Sequence, residues 1–154
     1  MNVQVINSIL DAFSKTFQMA TNNMDIEIQK PSLDKGENRT YDVVVTIGFI
    51  GDINGNIHIG LASETAKKIV SQMMMGMPIE KLDEMSLSAL GELGNMISGS
   101  IAISLEKLNY KINITPPSIM HGNNIIFIKD GVSLRFPMNI DNKYLEEFFV
   151  VLKS

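Results

Sequence analysis

Residues 86–108 read SLSALGELGNMISGSIAISLEKL, and the periodicity of this stretch orders the rest of the chain. At about 100° per residue, Leu87, Leu90, Ile97, Ile101, Leu105 and Leu108 fall on one stripe of a helix, the side that enters a core. Ser88, Glu92, Asn95, Gly99 and Ala102 form a second stripe on the opposite side. One side is oily. The other is small and polar, with two longer functional groups. Gly91, Gly94 and Gly99 all lie inside this helix. Each costs about 1 kcal/mol relative to alanine, so something must offset them. Two readings stay open: close packing on a neighbouring helix or strand, or a second protein surface that lies against this helix.

Working outward, Asp83 or Ser86 is the N-cap and the helix spans about 84–108. Upstream, Ser63 is the N-cap of a helix through Met75 that Gly76 and Pro78 close. Before it, residues 41–50 and 56–61 are β-branched and apolar around an Asn54-Gly55 turn, which predicts a hairpin. Residues 25–31 alternate as a half-buried strand does, and residues 34–38 are a polar turn. Residues 2–19 carry Val5, Ile6, Ile9, Leu10, Phe13 and Phe17 at helical spacing, and Asn22-Asn23 ends that helix. Downstream, residues 110–120, 123–129, 131–139 and 144–152 read as strands, with turns at Asn123-Asn124 and at residues 129–131. The last segment also admits a helical start. The predicted class is α+β, with a largely antiparallel sheet of about six or seven strands and three helices. Two halves share one order, helix first and then a strand meander. No residue-level repeat stands out beyond that order. No linker breaks the chain, so residues 1–154 are expected to form a single domain.

Composition narrows the function. The chain has 154 residues, 45% apolar and 19% charged, with a net charge of −4. That length suffices for a core without staples. With no cysteine, disulfide scaffolds, cysteine nucleophiles and thiolate metal sites are excluded. Two histidines, His58 and His121, argue against a histidine metal centre. Net acidity argues against nucleic-acid binding. No apolar run approaches the ~20 residues of a membrane span, and Met1-Asn2-Val3-Gln4 lacks a signal-peptide start. The expectation is a cytoplasmic protein without membrane insertion.

Glu92 and Asn95 stand at i, i+3, side by side on the polar stripe. They offer one negative charge and one amide. A carboxamide is a poor general base, but it can donate to a water's oxygen or accept its proton, and so fix the water's direction. The pair therefore suits water positioning and partner docking, or is simply a solvated polar face. No two carboxylates at glycosidase spacing are identifiable. Gly51 and Gly55 do not make a phosphate loop, because the Lys-Ser/Thr is missing. The methionines, including Met73-Met74-Met75, read as core or interface filling. His58 reads as a structural histidine, His121 as part of a turn, and Lys67-Lys68 and Glu146-Glu147 as solvated charges.

Ser88-x3-Glu92-x2-Asn95, followed about twenty residues on by Pro116-Pro117, resembles the signature of the CheC/CheX/FliY phosphatases of bacterial chemotaxis. The context Gly91-Glu92-Leu93-Gly94-Asn95-Met96-Ile97-Ser98-Gly99, the hairpin around Asn54-Gly55 and the element order carry the same resemblance, over nearly the whole chain. It implies hydrolysis of the phosphoaspartate on a CheY-like response-regulator receiver. Asn95 would hold the attacking water in line, and Glu92 would pair with a receiver lysine. Ser88, Gly91, Gly99 and Pro117 (or Pro116) would shape the docking surface. Mg²⁺ would sit on the receiver, with no cofactor or metal held by this chain. Some relatives carry a second Glu-x2-Asn in the first helix, but residues 5–14 here, VINSILDAFS, have none. One site per chain and a homodimer are expected, as in the CheX-like branch. The alternative is a non-catalytic module of the same fold that binds a receiver or a flagellar-switch protein.

Overall fold

The computed structural model describes residues 2–36, 39–127, 129 and 131–153. The elements run α1 (Val3–Ala20), β1 (Ile26–Ile28), β2 (Ser32–Leu33), β3 (Tyr41–Gly51), β4 (Gly55–Leu61), α2 (Ser63–Met73), α3 (Glu84–Glu106), β5 (Ile112–Ile114), β6 (Ser118–Ile125), β7 (Val132–Ile140) and β8 (Tyr144–Leu152). All strand pairs are antiparallel, in the order β1-β7-β8-β4-β3-β5, with β2 also on β7 and β6 also on β3. The α+β expectation holds, with one strand more than predicted.

Proline explains that extra strand. Proline donates no ladder hydrogen bond. The predicted strand 110–120 is split at residues 115–117, around Pro116-Pro117, whereas the predicted strand 25–31 ends at Ile28 and an unpredicted short strand starts at Ser32, just after Pro31. The turn expected at Asn123-Asn124 is instead inside β6. There Asn124 adopts φ 58° where the pairing to β3 slips between Tyr41 and Val43. The bulge keeps β6 running to Ile125, so no separate strand 123–129 forms among the described residues; Ile128 and Asp130, and with them part of that strand and of the 129–131 turn, lie outside them. Glu37 and Asn38 of the polar turn lie outside them too. The C-terminal segment is strand from its first residue, paired with β7 and β4.

The two halves are more alike than their element order suggested. Ile26↔Ile140 and Ser32↔Arg135 on one side match Ile112↔Gly51 and Ser118↔Thr46 on the other. Each half therefore lends its first two strands to the hairpin of the other half, around a pseudo-dyad at the central β4–β8 pair. This equivalence aligns IEIQKPSL (26–33) with INITPPSI (112–119), a residue-level repeat that pattern reading missed. It also aligns the helices. Asn2 caps α1 through the N–H groups of Gln4 and Val5, and Asp83 caps α3 through that of Ser86. That backbone hydrogen bond holds the exposed Asp83 carboxyl below its ordinary range.

The helices cover one face of the sheet. From α1, Phe13 stacks on Phe148 at 4.6 Å, and Phe148 on Phe136 at 4.9 Å. Helix α2 is capped by the strands. Its first N–H, on Ser63, donates to Asp42 on β3, while that of Ala62 donates to Glu146 on β8. Ser63 is thus inside the helix and not its cap. Helix α2 ends at Met73, with Met75 and Gly76 in the left-handed region. Glu146 is buried and Glu147 binds Arg39, Arg135 and Tyr41, so neither is the solvated charge expected. Burial raises the Glu146 pKa.

On the opposite face, Tyr41, Val44, Phe149 and Val151 pack with Ile125 and Phe127. His58 belongs to this layer. Its Nδ1 lies 2.8 Å from Thr46 Oγ1, and its ring packs 4.5 Å from that of Phe127. Burial first, and the Lys129 charge second, lower its pKa to about 4. A histidine of depressed pKa stabilises the fold fully above its unfolded value near 6.5. That contribution is lost as pH falls from about 6.5 toward 4, and amounts to about 3 kcal/mol. Thermal unfolding should therefore show the melting temperature falling more steeply over this window for the wild type than for His58→Gln. Equal slopes would remove His58 from the acid response.

Candidate functional site

Helix α3 is fastened along one side. Leu90, Leu93, Ile97, Ile101 and Leu105 are buried, while Leu87 and Leu108 are half-buried at the margins of the stripe. Leu93 belongs to the core although the simple stripe omitted it. Burying five such side chains outweighs the helix's glycine cost several-fold, at about 1.5–3 kcal/mol each. The orientation of α3 is therefore fixed by packing. Ser88, Glu92 and Asn95 are all exposed on the far side. At i, i+3 the side chains of Glu92 and Asn95 start about 5–6 Å apart. Among the described residues, neither side chain is engaged in a hydrogen bond or ion pair; Ser98 Oγ donates to the backbone carbonyl of Asn95, not to its side chain.

The glycines divide into different jobs. A Cβ on Gly94 would sit 3.0 Å from Pro117 Cβ and 3.2 Å from Val45 Cγ1, so glycine is needed there for close packing. Gly91 is less constrained, with ordinary contact to Ile119 at 3.4 Å. Gly99 faces nothing within 4 Å. It is half-exposed, one turn beyond Asn95, and no neighbour among the described residues explains it. Pro117 is half-buried and acts by seating α3, whereas Pro116 is exposed. That distinguishes the two prolines, which sequence left interchangeable.

The pseudo-dyad supplies an internal control. With the N-caps Asn2 and Asp83 matched, Asn7, Asp11, Phe13 and Ser14 of α1 fall at the positions of Ser88, Glu92, Gly94 and Asn95 on α3. The Asp11 carboxylate pairs with Lys15 at 2.9 Å, and Ser14 offers no amide. Phe13 points into the core in place of the packing glycine. Beside α1, Pro31, the counterpart of Pro117, borders an open apolar groove of about 460 Å³ that Val3, Ile6 and Leu10 also line. Of these two helices, only α3 has a carboxylate followed by an amide three residues on.

His121 is exposed on β6, opposite Val43, and not in a turn. Met73 and Met74 pack against the core, while Met75 is exposed. Among the described residues no group of three or more His, Cys, Asp or Glu is placed to hold a metal ion, and no helix is long and apolar enough to cross a membrane.

With this geometry, the family model for chemotaxis phosphatase CheX matches residues 43–139, which include all of α3 and Pro117. The chain is also 35% identical over 154 residues to the CheY-P phosphatase CheX of Thermotoga maritima, covering all of this chain and 99% of that protein. The chain belongs to the CheX family. Its fold matches that of a CheC-like superfamily protein from Shewanella, with a TM-score of 0.87 and 26% identity over the full length of both chains. It likewise matches CheX in the CheX–CheY–BeF3–Mg²⁺ complex from Borrelia burgdorferi, with a TM-score of 0.82 and 24% identity over 99% of this chain and 100% of that one. Within the CheX family frame, the glycine roles are separable by stability. Gly94→Ala should lower the melting temperature, because overpacking against the rigid Pro117 ring and Val45 costs about 1–3 kcal/mol, more than the ~1 kcal/mol of helix propensity it gains. Gly99→Ala should raise it. Thermal melts of both variants check this; the reverse order would refute the packing assignment.

Proposed function

We propose that this protein is an aspartyl-phosphate phosphatase that dephosphorylates a CheY-like receiver domain, using the exposed side of α3. The observation that carries the reading is the side-by-side, unengaged Glu92 and Asn95 on a helix whose opposite side is locked in the core. The full-length relative named as a CheY-P phosphatase supports the same activity. In the reaction, a water attacks phosphorus in line. The bond from phosphorus to the aspartyl oxygen breaks, and the products are the free aspartate carboxylate and inorganic phosphate. The side-chain oxygen of Asn95 accepts a hydrogen bond from that water and aims its lone pair. Such positioning accounts for most of what a protein can add to phosphoryl transfer.

Glu92 docks by pairing with a receiver lysine. Ser88, Gly91 and Gly99 keep the approach open, and Pro117 holds the helix in place. In this reading the Mg²⁺ belongs to the receiver and neutralises phosphoryl charge there; the Borrelia complex contains that ion together with its CheY. The protein acts in the cytoplasm on a soluble partner. It works as a homodimer with one site per chain. The degenerate Asp11 and Ser14 positions on α1 agree with a single site. Sedimentation velocity giving the mass of one chain would rule the dimer out.

Phosphate release from a phosphorylated CheY-like receiver tests the activity. Wild-type protein should accelerate it. Asn95→Ala should abolish the acceleration, about 10²-fold or more, while still binding the receiver. Glu92→Ala should chiefly raise KM. A wild type that binds the receiver but leaves its phosphoryl lifetime unchanged would instead establish the scaffold reading.

A further inference from the structure

Resting on the reading above, the geometry points to Met85 and Ile103 as two apolar anchors that seal the receiver's phosphoryl site from water while Asn95 acts. They occupy the same side of α3 as the polar pair. Met85, Ser88, Glu92, Asn95, Gly99 and Ile103 follow one another at three- or four-residue steps, within roughly a 100° sector of the helix. Met85 is 52% exposed and Ile103 is 61% exposed. Each lies about two turns from the nearer member of the pair, and together they span about 27 Å of helix.

A docked helix presenting only Ser88, Glu92, Asn95 and Gly99 would leave water free to reach the phosphoryl group from both ends. Free water weakens every charge–charge and hydrogen-bond contact in the site. It also competes with the one molecule Asn95 has to aim. Interfaces counter this with apolar side chains around a polar centre, which exclude solvent even when they add little contact energy of their own. Met85 and Ile103 are placed to do so. The gap at Gly99 lets the receiver backbone approach between the pair and Ile103. The occupant is the phosphorylated receiver itself, with apolar side chains rimming its phosphoryl pocket. Its docking surface is continuous with the face that carries Glu92 and Asn95.

Steady-state dephosphorylation of a CheY-like receiver tests this, with kcat and KM resolved separately. Ile103→Ser and Met85→Ser should each raise KM about fivefold to tenfold and also lower kcat by a similar factor, because the unsealed site admits competing water. Ile103→Leu should restore KM. Leu145→Ser, at an exposed apolar position on β8, should change neither constant. All three positions are exposed, and melting temperatures check that the four variants fold. If Asn95→Ala is inactive but Ile103→Ser and Met85→Ser match wild type, the anchors are refuted and the phosphatase reading stands. If Asn95→Ala is as active as wild type, the phosphatase reading itself fails. If Ile103→Ser leaves KM unchanged but converts a dimer to single chains, the face belongs to a second copy and the proposal is overturned.

Discussion

Gly94 pressed against Pro117 and Val45 is the contact on which the rest depends. It brings the middle of α3 within van der Waals reach of the corner between β5 and β6. Leu90, Leu93, Ile97, Ile101 and Leu105 then bury on the side that faces the sheet and α1. With that side committed, Glu92 and Asn95 have nowhere to go but solvent. A methyl group at this point would press on Pro117 and Val45, and the helix or these neighbours would have to give by a few tenths of an ångström. The chemistry is therefore set by a packing contact on the far side of the helix from the groups that would perform it.

The pseudo-dyad shows how one scaffold holds both an active-looking helix and a silent one. Helices α1 and α3 have equivalent caps, yet only α3 carries the packing glycine and an amide three residues after an unpaired carboxylate; on α1 the carboxylate of Asp11 is tied to Lys15 and followed by Ser14. On α1, Phe13 feeds the aromatic stack with Phe148 and Phe136. One half has spent its equivalent position on the core, and the other has left it free for a surface. The crossed exchange of first strands ties the halves together, so neither hairpin has a complete sheet without the other.

Much of this was legible in the residues because it follows from local patterning. The stripe through Leu90 and Ile101, the cap at Asp83 and the Asn-Gly hairpin each depend on neighbours a few positions away. What stayed hidden depended on distant residues. The α2 cap comes from Asp42 and Glu146, on β3 and β8. The Glu147 cluster draws on Arg39 just before β3, on Tyr41 at its start and on Arg135 of β7. The repeat of IEIQKPSL in INITPPSI was visible in principle, but only the matching strand registers show that it matters. The carboxylate–amide pair was found from spacing, whereas the different duties of Gly94 and Gly99 needed the position of Pro117.

The most direct test of the central claim is a nuclear magnetic resonance titration of the labelled protein with a Mg²⁺-loaded, beryllofluoride-activated CheY-like receiver. The side-chain amide signals of Asn95 and the backbone amide of Gly99 should shift or broaden, while those of Asn7, Asp11 and Ser14 on α1 stay in place. Perturbation centred on α1, with Asn95 unmoved, would contradict the account.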